Sequence, residues 1–297
     1  LCKCVRDVIS NVCVEGSHLC EAIALFLLCF FFFLFLMIRR PPRSTQSRSS
    51  AASDVYKRQA KRMVAGGSEG ASPYIWGGFD AMRVIARKFN DNPAAGSRPM
   101  SASACGFVPG SGGAMLLLEE LETALARGAR IYAEIVGGFV NCGGQRMGGS
   151  MTAPNPVGVQ KCIRGAVADA GIRLSEVDAI NGHLTATYAD PHEVRSWAAA
   201  LERTPENFPY INSTKSMVGH CLGAAGAVEC VASVLQVYRG FLHPSINSED
   251  VHPDIAEFAP KIPQKCMEFP ELKYLAKAGF GFGDVNSCII FKKWEEK

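Results

Sequence analysis

The hydrophobic positions of the chain fall into short apolar runs, separated by longer segments with helical spacing. Short runs that end at glycine or polar residues predict strands, and they cover 63–67, 114–118, 131–136, 177–180, 211–213, 274–282 and 287–291. Apolar residues three or four positions apart predict helices over 77–89, 119–127, 157–170, 194–201 and 223–237. Strands that alternate with helices predict an α/β fold built in layers.

One apolar segment does not fit this pattern. Residues 22–38 carry no polar group, and Arg39 and Arg40 follow them directly, which is the minimal signature of a membrane-spanning helix. However, the run is rich in phenylalanine and leads into a tract rich in serine and arginine. Residues 30–59 resemble translated sequencing-adapter read-through. We therefore interpret 30–62 as an artefactual or disordered insert and expect no genuine membrane span, with a real membrane segment as the alternative.

The formal net charge of +3 comes from one short segment. Residues 39–62 hold eight lysines and arginines against one aspartate, whereas 63–297 hold 21 basic and 24 acidic residues, a net charge of −3. A basic nucleic-acid surface spread over the folded body is therefore not expected. The mildly acidic body is typical of a cytoplasmic enzyme, and a cytoplasmic location is predicted.

The 12 cysteines are scattered over the chain without a Cys-x-x-Cys pair. This distribution favours reduced thiols over a disulfide framework. No cluster of histidine and cysteine has the spacing of metal ligands, so no metal site is expected.

Two histidines lie among small and hydroxylated residues. His183 lies in the segment 181–187, directly after a predicted strand, and His220 ends the segment 213–220 after another. In α/β folds, ligands and chemistry collect where strands end. Paired imidazoles can hold a developing enolate oxygen, so the pair predicts an enzyme of carbonyl chemistry.

Four blocks around these histidines resemble the β-ketoacyl-acyl carrier protein synthase family of the thiolase superfamily. They are 106–113, 181–187, 213–226 and 279–283 with Asn286, and the resemblance covers about 63–293. It implies a thiolase-like layered αβαβα fold, of which this chain holds the C-terminal half and a remnant of the N-terminal half. Residues 1–29 would be that remnant, 30–62 the insert, and 63–297 the end of the N-terminal half with the C-terminal half.

The family condenses an acyl-enzyme thioester with malonyl-acyl carrier protein, with loss of carbon dioxide, in fatty acid elongation. The resemblance implies that His183 and His220 are its essential histidines and that Lys215 supports their hydrogen bonding and charge. Phe282 corresponds to the gating phenylalanine, whose backbone amide also helps to form the oxyanion hole. Glycines on both sides allow its ring to swing.

Further site residues are implied by the same resemblance. Thr185 and Thr187 match positions that contact the pantetheine arm, although capping of a strand end is an alternative for both. Phe280 is a substrate-binding candidate with core packing as its rival. Three residues have supporting roles: Asp190 and Glu193, which in the family brace the lysine, and Asn286. The chain departs from the family at Leu184, Asp284 and Val285, where glycine, glycine and threonine are usual.

Cys13 is the candidate nucleophile. Residues 13–18 read Cys-x-x-Gly-x-His, which resembles the family's active-site turn and the start of its helix. The positive end of a helix would favour the thiolate. An unrelated buried thiol is the alternative, because the rest of the family context is missing.

The resemblance also implies partners. Substrates would arrive on the phosphopantetheine of an acyl carrier protein, no resident cofactor is expected, and the family is homodimeric. Three other functions stay open: a polyketide-type ketosynthase, a decarboxylase-only ketosynthase and a chain-length-factor-like partner without catalysis. A reactive Cys13 would separate the first from the others.

Overall fold

The computed structural model describes residues 60–295. Its strands are β1 (Arg62–Glu69), β2 (Gly112–Glu119), β3 (Ala133–Cys142), β4 (Ala179–Asn181), β5 (Tyr210–Asn212), β6 (Phe241–Leu242), β7 (Met267–Glu268), β8 (Tyr274–Gly281) and β9 (Val285–Lys293). Its α-helices are α1 (Pro73–Ala81), α2 (Leu121–Ala126), α3 (Pro156–Asp169), α4 (Asp190–Leu201), α5 (Lys215–Val218) and α6 (Ala225–Arg239). The segment 1–29 and nearly all of 30–62 lie outside the described residues.

A five-stranded mixed sheet is the centre of the fold, with strand order β3-β9-β8-β4-β5. The short strand β4 runs parallel to both of its neighbours, whereas β9 is antiparallel to β3 and β8. Every residue of β4 is buried, and Asn181 at its end pairs in register with Asn212 and Lys277. The carboxyl ends of β4 and β5 therefore lie side by side, and both histidine segments start there.

Helices cover both faces of this sheet. One face packs on α3 and α4 in the largest hydrophobic cluster, which includes Ile163, Trp197 and Phe280. The other face packs on α6 through Leu275, Phe291 and Val237. The helix α6 also contacts the antiparallel pair β1–β2 on its far side. Successive layers of strand pair, helix, sheet and helices confirm the predicted α/β layering.

Helix boundaries follow local signals. Pro156 begins α3, and the side chain of Asn155 caps it by accepting hydrogen bonds from the amide groups of Val157 and Gly158. Gly240 ends α6 with a left-handed φ of 65°.

One predicted helix is misplaced. The apolar spacing predicted a helix over 77–89, but α1 covers Pro73–Ala81, and Arg83 follows it with a left-handed φ of 58°. A proline at its first position starts the helix early. None of its residues is buried, so packing does not extend it.

No helix within residues 60–295 is long and apolar enough to cross a membrane. The apolar run 22–38 lies outside this range.

Candidate active site

The first histidine lies in residues 182–187, named here the histidine turn, which directly follows β4. Leu184 and Ala186 have positive φ values of 26° and 64°. The side chain of Leu184 is fully buried in the main hydrophobic cluster. Packing of this side chain therefore offsets the cost of a backbone conformation that glycine adopts more easily.

Glu193, in the first turn of α4, holds the start of the histidine turn by its backbone. Its carboxylate accepts hydrogen bonds from the amide groups of His183 (2.7 Å) and Leu184 (2.8 Å). The indole N–H of Trp197 donates a third at 3.3 Å. Burial raises the pKa of Glu193 to about 7, against the opposite effect of the backbone donors.

Asp190 holds the second part of the histidine turn. Its carboxylate accepts hydrogen bonds from the amide groups of Thr185 (2.8 Å) and Ala186 (3.0 Å). The amide of Met100, from a distant loop, donates a third at 2.9 Å. Four consecutive backbone donors, from His183 to Ala186, are thus satisfied by two buried carboxylates of one helix end.

The second histidine is fixed by its own backbone and by one ring nitrogen. The amide of His220 donates to the carbonyl of Val108 at 2.7 Å, and its carbonyl accepts from Gly110 at 2.9 Å. Its Nδ1 accepts a hydrogen bond from the amide of Leu222 at 3.1 Å. Because Nδ1 is an acceptor, the ring proton lies on Nε2, which leaves that nitrogen as a donor.

The two imidazoles lie next to each other in an edge-to-face arrangement. Their ring centroids lie 5.4 Å apart with an interplanar angle of 84°. Burial and the nearby charge of Lys215 lower the pKa of His220 to about 3 and hold the pKa of His183 well below its usual range. Both rings are uncharged at neutral pH, so each has one N–H to donate.

Lys215 reaches the histidine turn from the start of α5. Its Nζ donates to the carbonyl of His183 at 2.6 Å, and it forms an ion pair with Glu229 of α6. Glu229 also pairs with Lys277 of β8, Nζ to Oε2, at 2.7 Å. The carboxylates of Asp190 and Glu193, which the resemblance implied as braces of Lys215, bind the backbone of the histidine turn, and the charge of Glu193 also favours the charged form of Lys215. The carboxylate partner of Lys215 is Glu229.

Sequence reasoning missed Glu229 and Lys277. Both are charged residues within apolar surroundings: Glu229 lies on the buried side of the small-residue helix α6, and Lys277 lies between two alanines in β8. An ionisable residue inside a buried element needs a partner. That signal is readable in the sequence, although the identity of the partner is not.

The two threonines of the histidine turn bond to each other. The hydroxyls of Thr185 and Thr187 lie 3.0 Å apart, and the amide of Ala189 lies 3.4 Å from Thr187 Oγ1. Both side chains are half-buried beside His183. Their position is compatible with contact to a substrate arm, which stays a prediction, and the Ala189 contact shows the local capping that was its alternative.

Phe280 is buried in the core, whereas Phe282 lies at the surface. The ring of Phe280 is buried in the main cluster and lies 6.1 Å from the ring of His183. Phe282 lies in residues 281–284, named here the glycine turn, which joins β8 to β9. Its side chain is 51% exposed and stacks on Phe79 at 5.8 Å. Phe280 therefore packs beside His183 on the core side, while Phe282 packs against Phe79 at the surface.

Asp284 attaches the glycine turn to the loop 143–155. It has a left-handed φ of 62°, where the resembling family has glycine. Its carboxylate accepts hydrogen bonds from the amides of Asn155 (2.8 Å) and Gln145 (3.0 Å). Asn286 links the following strand to β3, because its side-chain amide donates a hydrogen bond to Oδ1 of Asn141 at 3.0 Å. The aspartate at position 284, where the family has glycine, thus connects two loops through hydrogen bonds.

The candidate nucleophile Cys13 lies outside the described residues. Among the described cysteines, Cys221 follows His220 directly, but burial raises its pKa. A buried thiol with a raised pKa is a poor nucleophile. Within residues 60–295, no three histidine, cysteine or acidic side chains are grouped as metal ligands.

Two family models match the chain. One is described as "Beta-ketoacyl synthase, N-terminal domain" and matches residues 46–124. The other is described as "Beta-ketoacyl synthase, C-terminal domain" and matches residues 132–249. Together they cover both histidine segments and the strand pair β1–β2.

Curated relatives and solved structures give the same result. The chain is 42% identical over 250 residues to 3-oxoacyl-[acyl-carrier-protein] synthase II, chloroplastic, of Arabidopsis thaliana, covering 83% of this chain and 44% of that protein. It is 38% identical over 234 residues to 3-oxoacyl-[acyl-carrier-protein] synthase 1 of Escherichia coli, covering 79% and 55%. The chain thus spans about half the length of the curated relatives it matches.

Among solved structures, a β-ketoacyl synthase from Burkholderia phymatum matches with a TM-score of 0.76 and 32% identity, over 83% of this chain and 58% of that one. A type II PKS acyl-carrier protein in complex with its ketosynthase matches with the same TM-score and identity, over 83% and 59%. The fold is therefore the thiolase-like fold of ketosynthases, as predicted.

Proposed function

The chain belongs to the β-ketoacyl synthase family, and we propose that the protein is a 3-oxoacyl-[acyl-carrier-protein] synthase of fatty acid elongation. An acyl group moves from carrier protein to an enzyme thiol. Malonyl-carrier protein then loses carbon dioxide, and the electron pair of the broken carbon–carbon bond forms a thioester enolate. The enolate carbon attacks the acyl thioester, the new carbon–carbon bond forms, and the thiolate leaves.

One observation carries this proposal: two uncharged imidazoles lie edge to face with their centroids 5.4 Å apart, and Nδ1 of His220 accepts a backbone hydrogen bond. The Nε2–H of His220 is therefore free to donate to an oxygen between the rings. Negative charge appears on the thioester oxygen only as carbon dioxide leaves. Donors aimed at that oxygen stabilise the transition state more than the substrate, and each is worth about a hundredfold to a thousandfold in rate.

Other residues position this pair. Lys215 holds the carbonyl of His183 at 2.6 Å, and the carboxylate of Glu193 holds its amide at 2.7 Å. His183 is thus fixed on both sides of its backbone, which limits reorganisation during the reaction. Thr185 and Thr187 would receive the amide groups of a pantetheine arm. Phe282 would cover the entrance between turnovers.

The remaining roles extend the proposal beyond the described residues. Cys13 is the proposed nucleophile, and an acyl carrier protein is the proposed partner, since a structural relative is described as a ketosynthase in complex with an acyl-carrier protein. The phosphopantetheine arrives as part of the substrate, and no resident cofactor is needed. A homodimer and a cytoplasmic location remain predictions; named relatives include chloroplastic and mitochondrial proteins.

The test is condensation by the protein with its N-terminal half restored and residues 30–59 excised, because this chain spans about half the length of its curated relatives. The protein is incubated with acyl-carrier protein and malonyl-carrier protein, and 3-oxoacyl-carrier protein is measured by mass spectrometry. We expect product that depends on malonyl-carrier protein and that falls at least a hundredfold in His183→Ala. Full condensation by the His183→Ala protein would falsify the assignment. His192→Ala, at an exposed position of α4, is the matched control and should retain activity.

A polyketide-type ketosynthase is the second candidate, because the chain is as similar to the type II PKS ketosynthase as to the β-ketoacyl synthase from Burkholderia phymatum. Acyl and polyketide chains of several lengths, offered in competition, would separate the two functions. Labelling of Cys13 by a radioactive acyl group would exclude both a decarboxylase-only protein and a partner of the chain-length-factor kind.

A further inference from the structure

Lys277 is a charged residue in the middle of an apolar strand. It lies in β8 between Ala276 and Ala278, and it is 3% exposed. A buried ammonium keeps its charge only when a partner compensates for lost hydration. The proposed reaction gives this residue no role, so its burial beside the site needs an explanation.

Strand alternation directs Lys277 toward α6. Ala276 and Ala278 belong to the cluster on the α3 and α4 face, whereas Leu275 packs with residues of α6. Lys277 shares the face of Leu275 because side chains two positions apart point the same way. Its Nζ lies 2.7 Å from Oε2 of Glu229, whose Oε1 pairs with Lys215.

The three side chains leave an excess of positive charge. Two lysines share one carboxylate, so the group of Lys215, Glu229 and Lys277 has a net charge of +1 when all three are ionised. Their side chains are 2–3% exposed, and solvent screens a charge at this depth poorly. After burial, the charges of both lysines contribute to the lowered pKa of His183 and of His220.

An uncharged ring matters for the geometry of the pair. Nδ1 of His220 accepts a hydrogen bond from the amide N–H of Leu222. Protonation of the ring would make Nδ1 a donor as well, and two N–H groups would then point at each other. A charge on His183 as well would create repulsion between rings 5.4 Å apart. Positive charge near the rings therefore favours the arrangement in which each ring has a single proton.

Other titratable groups surround the pair and the lysines on each packed element. They are Asp190 and Glu193 of α4, Cys230 of α6, Cys288 of β9, and His243 and Cys221 in the adjoining loops. Both carboxylates of α4 bind backbone amides of the histidine turn. The net charge near the rings therefore changes when one of the two lysines that pair with Glu229 is removed.

We propose that Lys277 is a positioning residue: by sharing Glu229 with Lys215, it leaves a net positive charge that adds to burial in keeping His183 and His220 uncharged. Removal of Lys277 would make the remaining pair neutral, and the rings would accept protons at higher pH. The consequence for rate rests on the proposed function. The effect on the protonation of the rings does not rest on the proposed function.

The test is an NMR titration of the full chain labelled in histidine with ¹³C and ¹⁵N. The chain has six histidines, and single substitutions to glutamine assign their signals. In Lys277→Met, the pH at which the rings of His183 and His220 become charged should rise, because a positive charge near both rings is removed. Lys277→Gln is the second variant, because its amide can still bond to Glu229 if methionine prevents folding.

Lys273→Met is the matched control, since Lys273 is exposed at the beginning of the same strand region. It should leave both titrations unchanged. The proposal is overturned if the two Lys277 variants, folded by circular dichroism, titrate like the parent, or if Lys273→Met shifts the rings equally. It is also overturned if either ring of the unsubstituted chain is charged at pH 6.

These outcomes are independent of catalysis. A shifted titration in a chain that makes no 3-oxoacyl product would refute the proposed function and keep the role of Lys277. If condensation occurs, the acid limb of its pH profile should move to higher pH in Lys277→Met, by the same amount as the ring titration.

Discussion

The histidine turn and the glycine turn both follow strands of the same sheet, but they are held in opposite ways. Two buried carboxylates of α4 accept four consecutive backbone donors of the histidine turn. The glycine turn presents a half-exposed Phe282 between two glycines and is attached mainly through Asp284. The difference separates a segment that buried hydrogen bonds hold in place from a segment that exposes an aromatic side chain at the surface.

The largest expected effect is acid destabilisation of the histidine side. Burial lowers the pKa of His183, His220 and His243 below the ordinary value of 6.5, to about 3 for His220 and about 4 for His243. Their contribution to stability is full above pH 6.5 and is lost as the pH falls toward the folded values. Each histidine should lower the free energy of unfolding by about 1.4 kcal/mol per pH unit in that window.

Urea unfolding between pH 7.5 and pH 5 measures this loss. Glu193 acts in the opposite sense, because its raised pKa of about 7 makes its protonation favour the folded state as the pH falls. Asp190 acts in the same sense as Glu193, because burial raises its pKa as well. A net loss should remain, since three histidines outweigh these two carboxylates. His192→Gln, at an exposed position, should not alter the slope. A free energy that stays constant to pH 5 would contradict uncharged imidazoles in the folded protein.

Asp190→Asn comes next. The asparagine side chain has one acceptor oxygen where three backbone donors now meet a carboxylate, so at least one buried N–H loses its partner. We expect a loss of about 3 kcal/mol in the free energy of unfolding, measured by urea titration at pH 7.5. Asp91→Asn, at an exposed position, is the control. Equal stability of the two variants would mean that the carboxylates do not hold the histidine turn.

Asp284→Gly tests the other turn. Glycine tolerates the left-handed φ, so this change removes the two accepted hydrogen bonds without adding backbone strain. We expect a loss of about 1–2 kcal/mol and faster tryptic cleavage after the exposed Arg146 in the attached loop. Cleavage at the same rate as in the parent would show that Asp284 does not fasten loop 143–155.

The smallest effect is expected at Phe282. Its ring is half-exposed, so Phe282→Ala should cost less than about 1 kcal/mol, mostly from the lost stacking on Phe79. Phe280→Ala is the matched comparison within the same strand region, and its buried ring should cost about 3–5 kcal/mol. Thermal unfolding of the two variants checks the contrast. Similar losses of stability in the two variants would contradict the assignment of Phe280 to the core and Phe282 to the surface.

The sequence predicted the layers and most strands because apolar runs bounded by glycine are strong signals. It misplaced α1, where no burial reinforces the apolar spacing. It also indicated His183 and His220 correctly as neighbours, since each follows a strand end. The partner of Lys215 could not be read, because Glu229 lies on another helix and its distance from Lys215 depends on how α6 packs against the sheet.

The central claim is that His183 and His220 together stabilise an enolate, and decarboxylation of malonyl-carrier protein tests it most directly. In a Cys13→Ala background no acyl-enzyme forms at that thiol, so release of acetyl-carrier protein reports enolate formation alone. Adding His183→Ala or His220→Ala should lower this rate about a hundredfold to a thousandfold. An unchanged rate in either double variant, with the protein folded, would contradict the claim.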